Sequence, residues 1–125
     1  MPFDGTSKTS VAAQSMIVLG MLETFFSGGT RWARRTYCAP DGKCCLLGAV
    51  DHARHETGLT EDRATEYLAG AINLRQLSKG LPPLGDTPAM TVIGFNDAFG
   101  RRYSDVLDVV SAAKELATID AEDWR

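Results

Sequence analysis

All three cysteines of the chain, Cys38, Cys44 and Cys45, flank one turn, Pro40-Asp41-Gly42, and the last of them opens an apolar helical pattern. A thiol at a helix start meets backbone N–H groups without intrahelical partners and the positive end of the helix dipole, and both favour thiolate. Cys45 is therefore the candidate nucleophile, with Asn96 and Asp97 as residues that would orient a base. A nucleophilic cysteine of the papain kind also needs a histidine brought in from elsewhere in the fold. The histidines here, His52 and His55, fall in the same expected helix as Cys45. Two turns of helix part Cys45 from His52 by about 10 Å, too far for direct proton transfer. A cysteine-dependent hydrolase or transferase is thus the alternative reading, and the main reading assigns no catalytic residue.

The same residue types raise a metal site and a crosslink. Structural zinc commonly uses Cys-x2–4-Cys pairs, and the spacing of Cys38 and Cys44 is looser. Adjacent Cys44 and Cys45 do not easily aim both sulfurs at one ion, and His52 with His55 reads as a solvated pair. No metal site and no cofactor are expected. A Cys38–Cys44 disulfide across the Asp-Gly turn is geometrically possible, although a reducing compartment disfavours it.

A second constellation is aromatic and basic. Arg31, Trp32, Arg34, Arg35 and Tyr37 lie within seven positions, and Arg101 and Arg102 follow Asn96 and Asp97. Arginine stacks on aromatic rings and forks onto carboxylates or phosphates, so these residues form the candidate surface for an anionic ligand or a protein partner. The competing reading turns Trp32 inward and leaves the arginines balancing acidic helices. Likewise, Asn96 or Asp97 has a structural role open to it, bonding the free N–H groups at the start of the Cys45 helix or pairing with Arg101 or Arg102.

The elements that must position these residues are helical. The chain has 125 residues, 44% of them hydrophobic, which suits one compact domain with a single core. Its net charge of −3 gives no global basic field for duplex nucleic acid. Residues 1–8 are expected to be a flexible N-terminus, 9–120 a helical domain and 121–125 a tail in which Trp124 packs back. Thr9 or Ser10 caps a first helix through Phe26, with Val11, Ser15, Val18, Leu22 and Phe25 at helical spacing. Residues 30–43 read as a short β-ribbon or irregular segment. The second helix runs from about Cys44 to Thr57, its core face carrying Cys45, Ala49, Val50 and Ala53. Thr60 caps a third, lined by Ala64, Tyr67, Leu68, Ala71, Ile72 and Arg75. Residues 81–88 are a proline-rich loop. Residues 91–99 lean to helix, on the spacing of Val92, Phe95 and Phe99. Ser104 caps the last helix, with its stripe from Val106 to Ala117. The expected fold is mainly α, with about four principal helices.

Cys45-Leu46-Leu47-Gly48-Ala49-Val50 fits a C-x-x-G-A-[LV] pattern, and Phe95-Asn96-Asp97 followed by Val106-Leu107 fits [WF]-N-D with a later V-L. The pairing resembles an uncharacterised family of small bacterial and phage-associated proteins, over Trp32 to Leu116. The resemblance implies that Cys45, Gly48, Ala49, Asn96 and Asp97 share one core or site, and it suggests a mobile-element or phage–host role. It brings no activity or cofactor with it. The apolar run Met16–Leu22 is too short to span a bilayer and lacks signal-peptide flanks, so a cytoplasmic protein without membrane attachment is expected. The expected function is that of a small non-enzymatic binding or regulatory protein.

Overall fold

The computed structural model describes the backbone of residues 8–123 and the side chains of residues 11–122. Expectations for residues 1–7 and for Trp124 lie outside the described residues; Thr9 and Ser10, expected as caps, are instead within the first helix, which is already helical at Lys8. Five helices follow one another: α1 (Lys8–Phe25), α2 (Leu46–Thr57), α3 (Ala64–Ser78), α4 (Pro88–Asp97) and α5 (Tyr103–Asp123).

The extra helix is α4. The proline-rich stretch ends one residue early because Pro88 is a helix starter: its missing N–H has no intrahelical partner to lose. Thr87 Oγ1 accepts the Met90 N–H at 3.2 Å and caps the turn. The helix stops at Asp97, and Ala98 is extended. Phe99 therefore leaves the register of Val92 and Phe95. Those two are fully buried, whereas Phe99 is 97% exposed.

Two caps also differ from expectation. Asp62 Oδ1, not Thr60, accepts the first N–H of α3, from Ala64 at 2.9 Å, because the chain between Gly58 and Arg63 is still irregular. The Asp62 carboxylate is held in turn by Arg54 Nε at 2.7 Å. Helix α5 starts at Tyr103 rather than after Ser104. Asp105 reaches back to the Arg102 N–H at 3.0 Å, the three-residue spacing of a capping box. The helix then runs on through Asp123, past the expected tail boundary.

Helix α1 packs chiefly on α5 and also on α2, while α3 lies against α4 and α5. Val18, Leu19, Leu22 and Phe26 of α1 meet Val50, Leu68, Ile72, Phe95, Val106 and Val110 in one core. Burying Phe26 or Phe95 fully contributes about 1.5–3 kcal/mol each. Ser15 sits in this wall and is paired, accepting the Arg63 N–H at 2.7 Å and donating to Val11 O at 2.8 Å.

Residues 30–43 form no ribbon of named strands. Two isolated bridges, Trp32 with Cys44 and Cys38 with Cys44, hold the segment instead. A segment pinned at both faces by a single residue has too few successive pairs for a ladder.

Candidate functional site

Asn96, next to last in α4, is fully buried. A buried primary amide brings two donors and two acceptor positions that must all be answered. Its Oδ1 accepts Trp32 Nε1–H at 2.7 Å and Leu46 N–H at 3.1 Å. Its Nδ2 donates to Ala33 O at 3.0 Å and to Asp97 Oδ1 at 2.9 Å. Leu46 is the first residue of α2, so the amide satisfies one of the orphan donors of that helix. The tryptophan turns inward to meet it.

Asp97 extends the arrangement. Its Oδ1 also accepts the Arg35 N–H at 2.7 Å. Arg34 Nη2 donates to Ala98 O at 2.9 Å and so covers the carbonyl end of α4, where a cation also meets the negative end of the dipole. The strand of chain from Trp32 to Arg35 is thereby strapped across the α4 terminus. Arg35 takes φ 60°, in the left-handed region that a residue with a Cβ enters at a cost.

Cys45 is the N-cap of α2 and is extended there. Its Sγ accepts the Gly48 N–H at 3.4 Å, and its own N–H donates to Tyr37 O at 3.0 Å. The thiol is buried and free, while Cys38 and Cys44 form a disulfide. The glycine at position 48 has a steric reason. A Cβ there would overlap the Tyr37 carbonyl and stand 2.9 Å from Cys38 Sγ.

Between these parts opens a pocket of about 210 Å³, lined by Arg35, Tyr37, Cys45, Leu47, Ile93 and Asp97. Arg35 and Asp97 bring one charge of each sign to the lining, Leu47 and Ile93 are apolar, and the Cys45 thiol lies at the helix start among them. Leu47 and Ile93 were not singled out by sequence reasoning. Their signal was present: Leu47 stands two residues after Cys45, and Ile93 one turn before Asp97.

The sequence-level cluster is divided by the fold. Trp32, Arg34, Asn96 and Asp97 join in the internal network, and Arg35, Tyr37 and Asp97 meet Cys45 at the pocket. Arg31 goes elsewhere, its guanidinium 5.3 Å from the centre of the Phe25 ring, beside His52 in a separate cleft between α1 and α2. Arg101 turns to the core: its Nε donates to Phe95 O at 2.7 Å and its guanidinium lies 3.8 Å over the Phe95 ring. Burial, and then the nearby Arg75 charge, lower its pKa. Asp105 answers this cluster, and its carboxyl is held below the ordinary range by the Arg102 N–H and then by the Arg75, Arg101 and Arg102 charges. Arg102 itself is exposed. Neither Arg101 nor Arg102 pairs with Asn96 or Asp97.

A family of unknown function (DUF6197) matches the chain over residues 29–116, more than half its length. The chain belongs to this family. The DUF6197 span contains the whole Trp32–Asn96–Leu46 network, the Cys45 pocket and the Asp105 cluster. No curated protein and no solved structure matches the chain. Among the described residues of this DUF6197 chain, no group of three or more His, Cys, Asp or Glu side chains is placed to hold a metal ion. No helix among them is long and apolar enough to cross a membrane.

Proposed function

We propose that this DUF6197 protein is a small, non-enzymatic binding protein that takes an anionic ligand in the pocket beside Cys45. The observation that carries the reading is Arg35. Its backbone is held in the left-handed region by the Asp97 carboxylate, and it lines the mouth of a pocket whose other wall is Tyr37, Leu47 and Ile93. A strained residue kept in place by a dedicated side chain is the kind of feature that function maintains. Asp97 Oδ1 is taken up by two N–H donors, so the carboxylate is turned to the protein's own donors, and the Arg35 guanidinium supplies the charge that an anion would meet. A carboxylate carrying a short apolar body matches both walls. The proposed setting is the bacterial or phage-associated cytoplasm.

The test is an amide-shift titration of the whole chain with butyrate, phenylacetate and the matching neutral amides. Saturable shifts at Cys45, Leu47 and Ile93 with the acids only, lost in Arg35→Ala, support the reading. Absence of saturation with any acid refutes it.

A second reading is favoured by one observation: the free Cys45 thiol lines the same pocket. A cysteine-dependent hydrolase or transferase would use Cys45 with Asn96 or Asp97. Against it, Asn96 is committed to four internal hydrogen bonds and His52 lies in another cleft. Alkylation of Cys45 well below pH 8 would favour this reading; slow labelling that follows denaturant would refute it.

A further inference from the structure

The loop between α4 and α5 presents a single aromatic side chain to solvent on a base that is held from three sides. Arg34 Nη2 and the Arg101 N–H both donate to Ala98 O, at 2.9 and 3.0 Å, and Arg101 Nε donates to Phe95 O. Gly100, with φ 78°, turns the chain directly behind Phe99. The backbone beneath the ring is held and the ring itself is fully presented, so docking needs no rearrangement of the loop, and the large apolar face is available as an anchor.

The same chain carries a matching concavity. A groove of about 440 Å³ runs between α3 and α5, lined by Ala71, Val109, Ala112 and Leu116. Leu74 and Ile119, 56% and 52% exposed, form its lips. Apolar surface of this kind along a helix pair marks a contact site. Asp108 and Glu115 border it on the α5 side, and the groove's Arg75 is paired with Asp105 at 3.2 Å. The unbalanced charge of the groove is therefore negative. Beside Phe99 stands the exposed Arg102, whose charge is opposite.

We infer that Phe99 of one copy of this chain seats in the α3–α5 groove of a second copy, with Arg102 meeting the acidic border at Asp108 and Glu115. Anchor, groove and both signs of charge belong to one sequence, and the anchor does not fill its own groove, so the occupant they specify is another copy. Reciprocal docking closes a two-fold dimer, the commonest symmetric assembly. The contact is independent of the Cys45 pocket, so the ligand reading and this one stand or fall separately.

Sedimentation velocity of the full chain over a range of concentrations tests the inference. The expected result is a concentration-dependent dimer that Phe99→Asp or Ile119→Asp converts to monomer with unchanged helical circular dichroism, since both side chains are at the surface. Arg102→Glu and Glu115→Arg should each weaken the dimer about tenfold, and their combination should recover most of that loss. A chain that stays monomeric throughout overturns the proposal, whatever other protein the groove takes. A dimer indifferent to Phe99→Asp, or charge reversals that do not compensate each other, overturns it equally.

Discussion

Trp32 Nε1 donates to Asn96 Oδ1 at 2.7 Å across 64 residues of sequence, and that oxygen also takes the Leu46 N–H. One buried amide thus joins the irregular 30–43 segment, the start of α2 and the end of α4. The Cys45–Val50 and Phe95–Asp97 segments are halves of a single hydrogen-bonded unit. Cys45 and Gly48 belong to it because the cysteine caps the helix that Asn96 caps, and the glycine lets Tyr37 and Cys38 lie against that helix.

Asn96→Ala leaves the buried Leu46 donor and the part-buried Trp32 donor without their partner. Each such loss costs about 1–3 kcal/mol, so a total of about 3–5 kcal/mol is expected in urea unfolding. Trp32→Phe, which keeps the ring and loses the N–H, should cost about 1–2 kcal/mol. A double-mutant cycle between the two should show coupling; simple additivity would contradict the direct bond.

Gly48→Ala should be among the most damaging single-methyl additions in the chain. The new Cβ meets the Tyr37 carbonyl, which is backbone and cannot swing aside. A loss of about 2–3 kcal/mol is expected, with broadened amide signals confined to residues 36–48. Gly70→Ala is the control, since the nearest atom there, Leu116 Cδ1, is at an ordinary 3.6 Å.

Arg35→Gly separates stability from binding. Glycine enters the left-handed region without the Cβ clash, and this outweighs its greater unfolded-state entropy, so the variant should gain about 0.5–1 kcal/mol. Thermal unfolding would show the gain, while the carboxylate titration would show lost affinity. A variant that loses stability would mean that the Arg35 side chain contributes more to the fold than its backbone strain costs.

Reduction of Cys38–Cys44 opens a short loop with a sequence separation of 6. Chain-entropy reasoning gives about 2 kcal/mol for such a closure. Unfolding with and without dithiothreitol should differ by about that amount in the wild type. Cys38→Ser should abolish the difference.

Tyr67 donates to Asp120 Oδ2 at 2.6 Å, tying α3 to α5. Burial and then this bond to a carboxylate raise the phenol's pKa above its ordinary value of 10.0. Above that value the unfolded chain releases the phenolic proton while the folded chain still holds it. Stability is therefore fully present below pH 10 and falls as pH rises toward the higher folded value. Alkaline denaturation curves of wild type and Tyr67→Phe should converge as pH climbs past 10.

The helical character of the chain was legible because its cause is local and periodic. The α2 core face of Ala49, Val50 and Ala53 and the α5 stripe from Val106 to Ala117 follow from apolar spacing, and both are buried as spaced except at Leu116, which is partly buried beside the α3–α5 groove. Even the role of Asn96 was within reach, since the N–H groups of a helix start need acceptors and Asn96 is a short polar residue directly after the apolar Phe95. Helix limits were less legible. A Pro88 that starts a helix and one that breaks it are written with the same letter, and only the Thr87 cap distinguishes them.

The sequence by itself determined that this would be a helical domain, that its cysteines would gather at one turn, and that Cys45 would stand at a helix start. Tertiary structure alone decided what those residues face. Arg31, Trp32, Arg34 and Arg35 are neighbours in the chain, yet they diverge to Phe25, Asn96, the Ala98 carbonyl and the Cys45 pocket. The segment holding them has no repeating period, so the Trp32 and Arg34 side chains are directed by partners 64 residues away, and the Arg35 backbone by Asp97, 62 residues away. Phe99 shows the converse. Its spacing placed it in the core, but helix α4 ends at Asp97, where Arg34 from the distant segment covers its last carbonyls, and the ring is turned out to solvent. Local periodicity writes the helices; long-range hydrogen bonds between polar ends decide where they stop and which residues they expose.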